Sequence, residues 1–356
     1  MQSLSFQKKK MKILKMSLIL FVIFQLTSCM DRIIINDDNR TYINFPIEKH
    51  LELKKLVKYK FGNIRQIIAV DSTLILKNHG GQGYNLYNYS LKTLKFSKPY
   101  IKRGKDVKQI LGSANIGIFN NSLFLNDFTA KKMMILNKNN MIDDSSNLKI
   151  KEFSFKGNRY YRSLLIDKLQ SICTGSEKSK FKIQIIDLPT GKIIQEFGML
   201  KKRPNDIPLH IITNASLTET FFNSKRKKIV LAYIHTDVIE IFNIDTKKRI
   251  SLKGPEFFDI EFKNYQNRWF ETEKTRVAFI GGSVTDKFIY LLYSGKYFSH
   301  INAFKSKYVF VYDWNLKPIK KIKLNMEVSH ISISNDDKTL YSFDEKRKYI
   351  NYVKLN

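Results

Sequence analysis

The sequence has little cysteine. Two occur in 356 residues, Cys29 and Cys173, and Cys29 stands at the end of an N-terminal export signal, so Cys173 has no partner within the chain. An intramolecular disulfide is excluded even in an oxidising compartment, and stability must come from packing. Cys173 itself reads as a small buried strand residue rather than a nucleophile. The six histidines, His50, His79, His210, His235, His300 and His330, are scattered, with neither metalloprotease spacing nor cysteine partners for zinc. Asp143-Asp144 and Asp336-Asp337 lack the glycine and oxygen-ligand spacing of a calcium loop and read as turns. No metal or cofactor is expected. Also missing is any long stretch with apolar residues at i, i+3, i+4 and i+7, which argues against helical layers. The apolar run Met16 to Leu26 is shorter than the roughly 20 residues that span a bilayer.

What is present begins with that run. Lys8-Lys9-Lys10-Met11-Lys12 precedes it and Leu26-Thr27-Ser28-Cys29 closes it, the basic start, short apolar segment and small residues of a secretory signal. The last four residues fit a bacterial lipobox, in which the cysteine thiol is acylated and becomes the first residue after cleavage. Residues 1–28 are thus expected to be a lipoprotein signal peptide and Cys29 the membrane anchor. Residues 29–40 read as a flexible tether and 41–356 as the folded domain. The expected location is exported and lipid-anchored, at the outer membrane, on its periplasmic or surface face.

The formal charge of +30 invites a nucleic-acid reading. Its distribution argues against one. The excess is spread in pairs and triplets such as Lys131-Lys132, Lys201-Lys202-Arg203 and Lys225 to Lys228, with no basic helix and no aromatic RNA-binding motif. Ile, Asn, Phe and Tyr are abundant beside Lys and share its A/T-rich codons. An exported lipoprotein also rarely meets nucleic acid. A basic surface suits anionic lipid or acidic glycan, at about 1 kcal/mol per Lys or Arg within reach of a membrane. Acyl chains contribute about 0.8 kcal/mol per buried CH₂ and dominate the attachment.

Beyond the tether the chain is a series of short alternating or β-branched runs bounded by Asn, Asp, Gly and Ser, the signature of an all-β protein. The runs recur as a unit. One copy is Lys228 to Tyr233, Val238 to Asn243, a turn at Asp245 to Lys248, then Arg249 to Leu252. Another is Phe288 to Tyr293, Tyr308 to Asp313, Trp314-Asn315 and Ile319 to Leu324. Unit starts near Ile64, Asn115, Arg162, Ser216, Ala278 and His330 are spaced by 51, 47, 54, 62 and 52 residues, six units of propeller-blade length. The last unit supplies only three strands. A six-bladed β-propeller is expected, its ring closed by an N-terminal strand from Tyr42 to Phe45 or from Leu51 to Tyr59.

Two segments interrupt the repeat. Phe197 to Asn214 carries Pro204 and Pro208 and reads as an ordered loop over one face. Gly254 to Thr275, with Phe257, Phe258, Tyr265, Trp269 and Phe270 among charges, reads as a second long insertion that includes a short helix. Such loops either bind or cover a blade edge.

The stretches Lys253-Gly254-Pro255-Glu256-Phe257, Tyr290 to Gly295 and Val309 to Trp314, with the lipobox, resemble the TolB-like six-bladed propeller lipoproteins of Bacteroidota. The resemblance covers nearly the whole mature chain and is dense from Lys253 to Leu324. Where the family has Arg-Lys-Gly-x-Gly-Pro-x-Glu near the second blade, this chain has Lys102-Arg103-Gly104-Lys105-Asp106-Val107, without the Gly-Pro or the Glu. The resemblance implies a fold and an anchored location, and no reaction.

No motif carries catalysis. His79-Gly80-Gly81-Gln82-Gly83 resembles an oxyanion or phosphate loop, but a strand-like run from Tyr84 to Tyr89 follows where a helix is needed. Gly281-Gly282-Ser283 lacks the flanking glycine of a nucleophile elbow and reads as a turn or bulge. The expectation is a non-enzymatic, monomeric, lipid-anchored binding or scaffold module for an envelope protein or acidic glycan. Its candidate binding residues are Glu256, Phe257, Phe258, Trp269, Tyr293 and Trp314. The alternative is a hydrolase or lyase working from the central channel, which needs carboxylates or histidines converging at one mouth.

Overall fold

A computed structural model describes residues 37–42, 44–81, 83–139, 149–201, 207–265 and 268–355. The signal peptide, Cys29 and most of the expected tether lie outside the described residues. Three N-terminal strands, β1 (Asp37–Thr41), β2 (Glu48–Leu51) and β3 (Lys54–Lys58), precede the repeat. The first blade is β4 (Asn63–Val70), β5 (Thr73–His79), β6 (Tyr84–Ser90) and β7 (Lys95–Phe96), with β8 (Tyr100–Lys102) also on β6. The second is β9 (Ser113–Phe119), β10 (Ser122–Asp127), β11 (Lys132–Asn137) and β12 (Ile150–Ser154). The third is β13 (Arg162–Leu165), β14 (Gln170–Thr174), β15 (Phe181–Asp187) and β16 (Lys192–Met199).

A short helix, α1 (Leu209–Ala215), leads into the fourth blade, β17 (Thr218–Asn223), β18 (Lys228–Tyr233), β19 (Val238–Asn243) and β20 (Arg249–Lys253). A separate hairpin, β21 (Phe262–Tyr265) and β22 (Arg268–Glu271), precedes the fifth, β23 (Arg276–Val284), β24 (Phe288–Tyr297), β25 (Ser306–Asp313) and β26 (Pro318–Val328). The sixth has β27 (Ile331–Ile333), β28 (Thr339–Asp344) and β29 (Tyr349–Lys354). The inner strands β4, β9, β13, β17, β23 and β27 touch their neighbours all the way round, so the six blades close a ring.

Closure follows the expectation. β3 pairs antiparallel with β29 as the fourth strand of the last blade, Val57 opposite Ile350, and so removes the open edge that three strands would leave. The N-terminal segment does more than close the ring. β1 adds to blade four parallel to β20, Asp37 opposite Arg249 and Thr41 opposite Lys253. β2 adds to blade five parallel to β26. The last residues of the expected tether, Asp37 to Arg40, are therefore strand, because the edge of β20 supplies backbone partners and the Arg40 guanidinium donates to the Asn315 carbonyl at 2.9 Å.

Alternation along each strand sends apolar side chains to both faces, and neighbouring blades pack them against each other. Six apolar cores result, one in each gap between blades: Tyr59, Tyr87 and Phe343 between the sixth and first, Ile75, Leu86 and Ile116 between the first and second, Phe124, Phe155 and Cys173 between the second and third. Ile183, Leu231 and Phe242 fill the next, then Phe279, Phe310 and Tyr312, then Val277, Leu292 and Leu340. Burial pushes the Cys173 thiol up to about 12, as suits a packing residue.

Polar side chains stitch every gap near the ring's axis. Gln66 grips Ile116 through both its carbonyl (2.8 Å) and its N–H (2.9 Å). Asn115 does the same to Ser163 (2.8 and 3.2 Å). Arg162 pairs with Glu219, and Thr174 with Thr220 at 3.1 Å. Asn223 donates to the Thr285 carbonyl (3.2 Å), Ile333 N–H to Ser283 Oγ (3.1 Å) and Ala69 N–H to Ser332 Oγ (2.9 Å).

The insertions depart from expectation. Between blades four and five stands the hairpin β21–β22 rather than a helix, because two runs of four residues, each carrying aromatics, pair antiparallel with Phe262 opposite Glu271 and Tyr265 opposite Arg268. The 197–214 segment is strand at its start, Phe197 being buried in β16, and helix at its end, where Pro208 fixes φ just before Leu209. Gly281 and Gly282 sit in β23, whose pairing with β24 shifts register between Phe279 and Gly281, a bulge as read from the sequence.

Candidate functional site

Within a blade the strands alternate in direction, so the inner strands all start at one end of the ring. The connections from each outermost strand to the next inner strand, and the turns from second to third strands, lie there too. This entry end carries both insertions, the 80–83 turn and the long 298–305 connection. A cavity of about 360 Å³ occupies the channel and is lined by all six inner strands. Its walls change character along the axis. Arg65, Gln66, Asn115, Arg162, Glu219 and His330 belong to the entry half, whereas Val70, Ile118, Val284 and Ile333 belong to the far half.

The charges at the entry half are closely placed. The Arg162 guanidinium donates to Glu219, both side chains being less than one-fifth exposed, and it lies 4.1 Å over the Tyr161 ring. Lys77, opposite Gln66 on β5, is buried. Burial, then the nearby Arg162 guanidinium, lowers its ammonium to about 7, with Glu219 opposing. His330 is held neutral. Burial, with Lys77, Arg65 and Arg162 nearby, pushes its imidazole down to about 3. Its Nε2 is shut off from solvent and has no hydrogen-bond partner. Among the described residues lining the cavity, Glu219 is the sole carboxylate and His330 the sole histidine. No cluster of three or more metal-ligating side chains occurs among the described residues.

Beside the channel lies the Gly254-Pro255-Glu256-Phe257 turn. Its keystone is Asp237, a fully buried carboxylate between β18 and β19 that the sequence reading did not single out. Asp237 Oδ2 accepts the N–H groups of Glu256 (2.7 Å) and Phe257 (2.6 Å), and Gly254 N–H donates to the Asp237 carbonyl at 3.0 Å. Burial raises the Asp237 carboxyl above its usual range in spite of those donors. Gly254, at φ +129°, is obligatory, since a Cβ there would meet the Tyr42 carbonyl oxygen at 2.1 Å. The signal for Asp237 was its place in the His235-Thr236-Asp237 turn, which the repeat brings beneath the insertion.

The predicted binding residues separate into two groups. Glu256 is exposed and pairs with Arg276, whose guanidinium lies 4.7 Å over the half-buried Phe258 ring. Phe257 is exposed beside them. Tyr293 and Trp314 are core residues. Tyr293 stacks on Phe310 at 4.5 Å, and Trp314 Nε1 donates to the Thr285 carbonyl at 3.1 Å, which leaves neither a surface for a partner. Trp269 lies on β22 with its side chain outside the described residues. The sequence reading missed the end of β24 and the connection after it, where Tyr297, Phe298, Phe304 and Ile301 are all about half exposed or more, Ile301 at 95%. Phe298 N–H donates to the Thr275 carbonyl at 2.9 Å, tying this connection to the insertion beside it.

The sequence matches the TolB-like 6-blade propeller-like family over residues 42–336. The chain belongs to this family. The TolB-like chain is similar in fold to a Bacteroides fragilis protein described as exported, at 12% identity and a TM-score of 0.51, over 90% of this chain and 98% of that one. It is also similar to a member of the duf4221 family from Bacteroides vulgatus, at 11% identity and a TM-score of 0.50, over 85% and 94% of the two chains. Chaetomium thermophilum Raptor matches at 9% identity and a TM-score of 0.51, over 86% of this chain and 29% of that protein. No curated protein matches the sequence.

Proposed function

We propose that the TolB-like chain is a lipid-anchored binding module of the cell envelope, held through acylated Cys29, which docks a partner protein on the entry end of its propeller. The observation that carries this reading is the apolar connection after β24. Tyr297 at the end of β24 and Phe298, Ile301 and Phe304 after it stand out from one short stretch, and Arg276 links Tyr297 (5.7 Å) to Phe258 of the insertion (4.7 Å). Exposed apolar groups gathered in one patch mark interaction surfaces, and aromatic anchors supply much of the energy in protein interfaces. Arg276 and Glu256 form a polar rim. The likeness to an exported Bacteroides protein supports the exported location. A hydrolase or lyase acting in the channel is the weaker reading, since a paired-carboxylate mechanism needs a second acid and Glu219 is already tied to Arg162.

The test places a photo-crosslinking residue at Ile301 in intact cells and identifies what it captures. One envelope protein enriched at least tenfold over the same probe at Val107, also exposed, is expected, and Phe298→Ser should abolish the capture. Identical capture from both positions, or none from Ile301, overturns the docking reading. Cys29→Ser should release the chain from membranes, and an unmodified Cys29 in mass spectra overturns the anchor.

A further inference from the structure

We propose that the entry half of the central channel is a binding site for an oxyanion, the carboxylate or phosphate of a small acidic ligand such as an acidic sugar. The site is distinct from the apolar patch and does not depend on it. Its walls bring Arg65 from the first blade, Arg162 from the third, Glu219 from the fourth and His330 from the sixth around one cavity of about 360 Å³, a volume that suits a small ligand. Lys77 lies within electrostatic range of Arg65, Arg162 and Glu219, and His330 within range of Lys77, Arg65 and Arg162. Two guanidiniums, Arg65 and Arg162, thus line the mouth with Glu219 as the one carboxylate among the described lining residues, a lining whose charge suits an oxyanion.

Geometry adds selectivity to charge. Arg162 is fixed rather than mobile, since Glu219, the Tyr161 carbonyl (3.3 Å) and the Tyr161 ring hold its guanidinium in place, so an arriving anion orders little. The Nε2 of His330 faces no protein acceptor or donor and is closed to solvent. In the Nε2–H tautomer the neutral imidazole donates one hydrogen bond without adding charge. A buried polar atom left unsatisfied costs about 1–3 kcal/mol, and a turn of the ring toward the cavity that His330 lines lets an oxyanion there satisfy it. Beyond the mouth the apolar half of the channel, with Val70, Ile118, Val284 and Ile333, accepts the non-ionic body of the ligand.

Titration calorimetry on the purified full-length chain in detergent, with inorganic phosphate, glucuronate and glucose as probes, tests the proposal. Binding of phosphate or glucuronate and none of glucose is expected. The preferred anion tells phosphate from carboxylate recognition. Arg65→Gln, at an exposed position that no stitch uses, should weaken binding about tenfold, as loss of a charge-assisted hydrogen bond does, without lowering the melting temperature. His330→Gln, which keeps a donor, should weaken it less than His330→Phe. The proposal is overturned if neither anion binds, if glucose binds equally, or if Arg65→Gln and His330→Phe bind as the parent does. Photo-capture at Ile301 stays intact in Arg65→Gln, so failure here and failure of the docking reading are separate results.

Discussion

Lys77 illustrates how a single residue ties stability to pH. Burial, with Arg162 nearby and Glu219 opposing, brings its ammonium to about 7 in the folded chain, against 10.5 when unfolded. Between those values the unfolded chain holds a proton that the folded one resists, so the Lys77 contribution to stability rises as pH climbs from about 7 to about 10. Below pH 7 its full cost is felt. Lys77→Met keeps the stem and removes the charge. It should raise the unfolding free energy by about 1–3 kcal/mol at pH 6.5, in line with mutational costs of burying polar groups, and flatten the alkaline rise. Urea unfolding at several pH values checks both. A variant no more stable at pH 6.5 than the parent would place Lys77 in a fully compensated network.

At the scale of elements, the strap β1–β2–β3 governs the integrity of the ring. Removal through Lys58 strips the fourth strand from the last blade and leaves β29 as a bare edge, an invitation to intermolecular pairing. Such a truncation should elute as aggregates in size-exclusion chromatography, while removal through Thr41 costs blade four only its added fifth strand and should leave a folded monomer of lower melting temperature. A monomeric, folded truncation through Lys58 would refute the closure. Much of this level was legible in the sequence. Starts read near Ile64, Asn115, Arg162, Ser216, Ala278 and His330 fall within two residues of the strands that begin at Asn63, Ser113, Arg162, Thr218, Arg276 and Ile331, because period-two alternation and Asn/Asp turns are local signals. The strap's pairing with blades four and five was not legible. Asp37-Asp38-Asn39-Arg40 is polar throughout and has no strand propensity of its own; the edge of β20 recruits it. The candidate site was illegible for the same reason. Arg65, Lys77, Arg162, Glu219 and His330 are spread over some 265 residues of sequence and meet only because the ring closes.

For the molecule as a whole, every gap between blades is both greased and stitched, so no blade has a boundary it owns alone. Asn115 reports on this. Its amide satisfies the backbone of Ser163 in the next blade and itself receives Asn126 at 3.3 Å. Asn115→Ala leaves that buried N–H and carbonyl unpaired and should cost about 2 kcal/mol or more. Loss of one stitch is expected to lower the melting temperature of the entire domain in one calorimetric transition, and a split endotherm would show that blades melt separately.

The direction of β1 fixes which way the propeller looks. β1 runs parallel to β20, the outermost of the blade's own four strands, so it starts at the far end of the ring and finishes at the entry end. Only seven residues lie between Cys29 and Asp37, eight links with a reach of at most about 28 Å. On the reading proposed above that Cys29 carries lipid, the far face, and not the charged mouth, is the one from which the chain leads back toward its anchor.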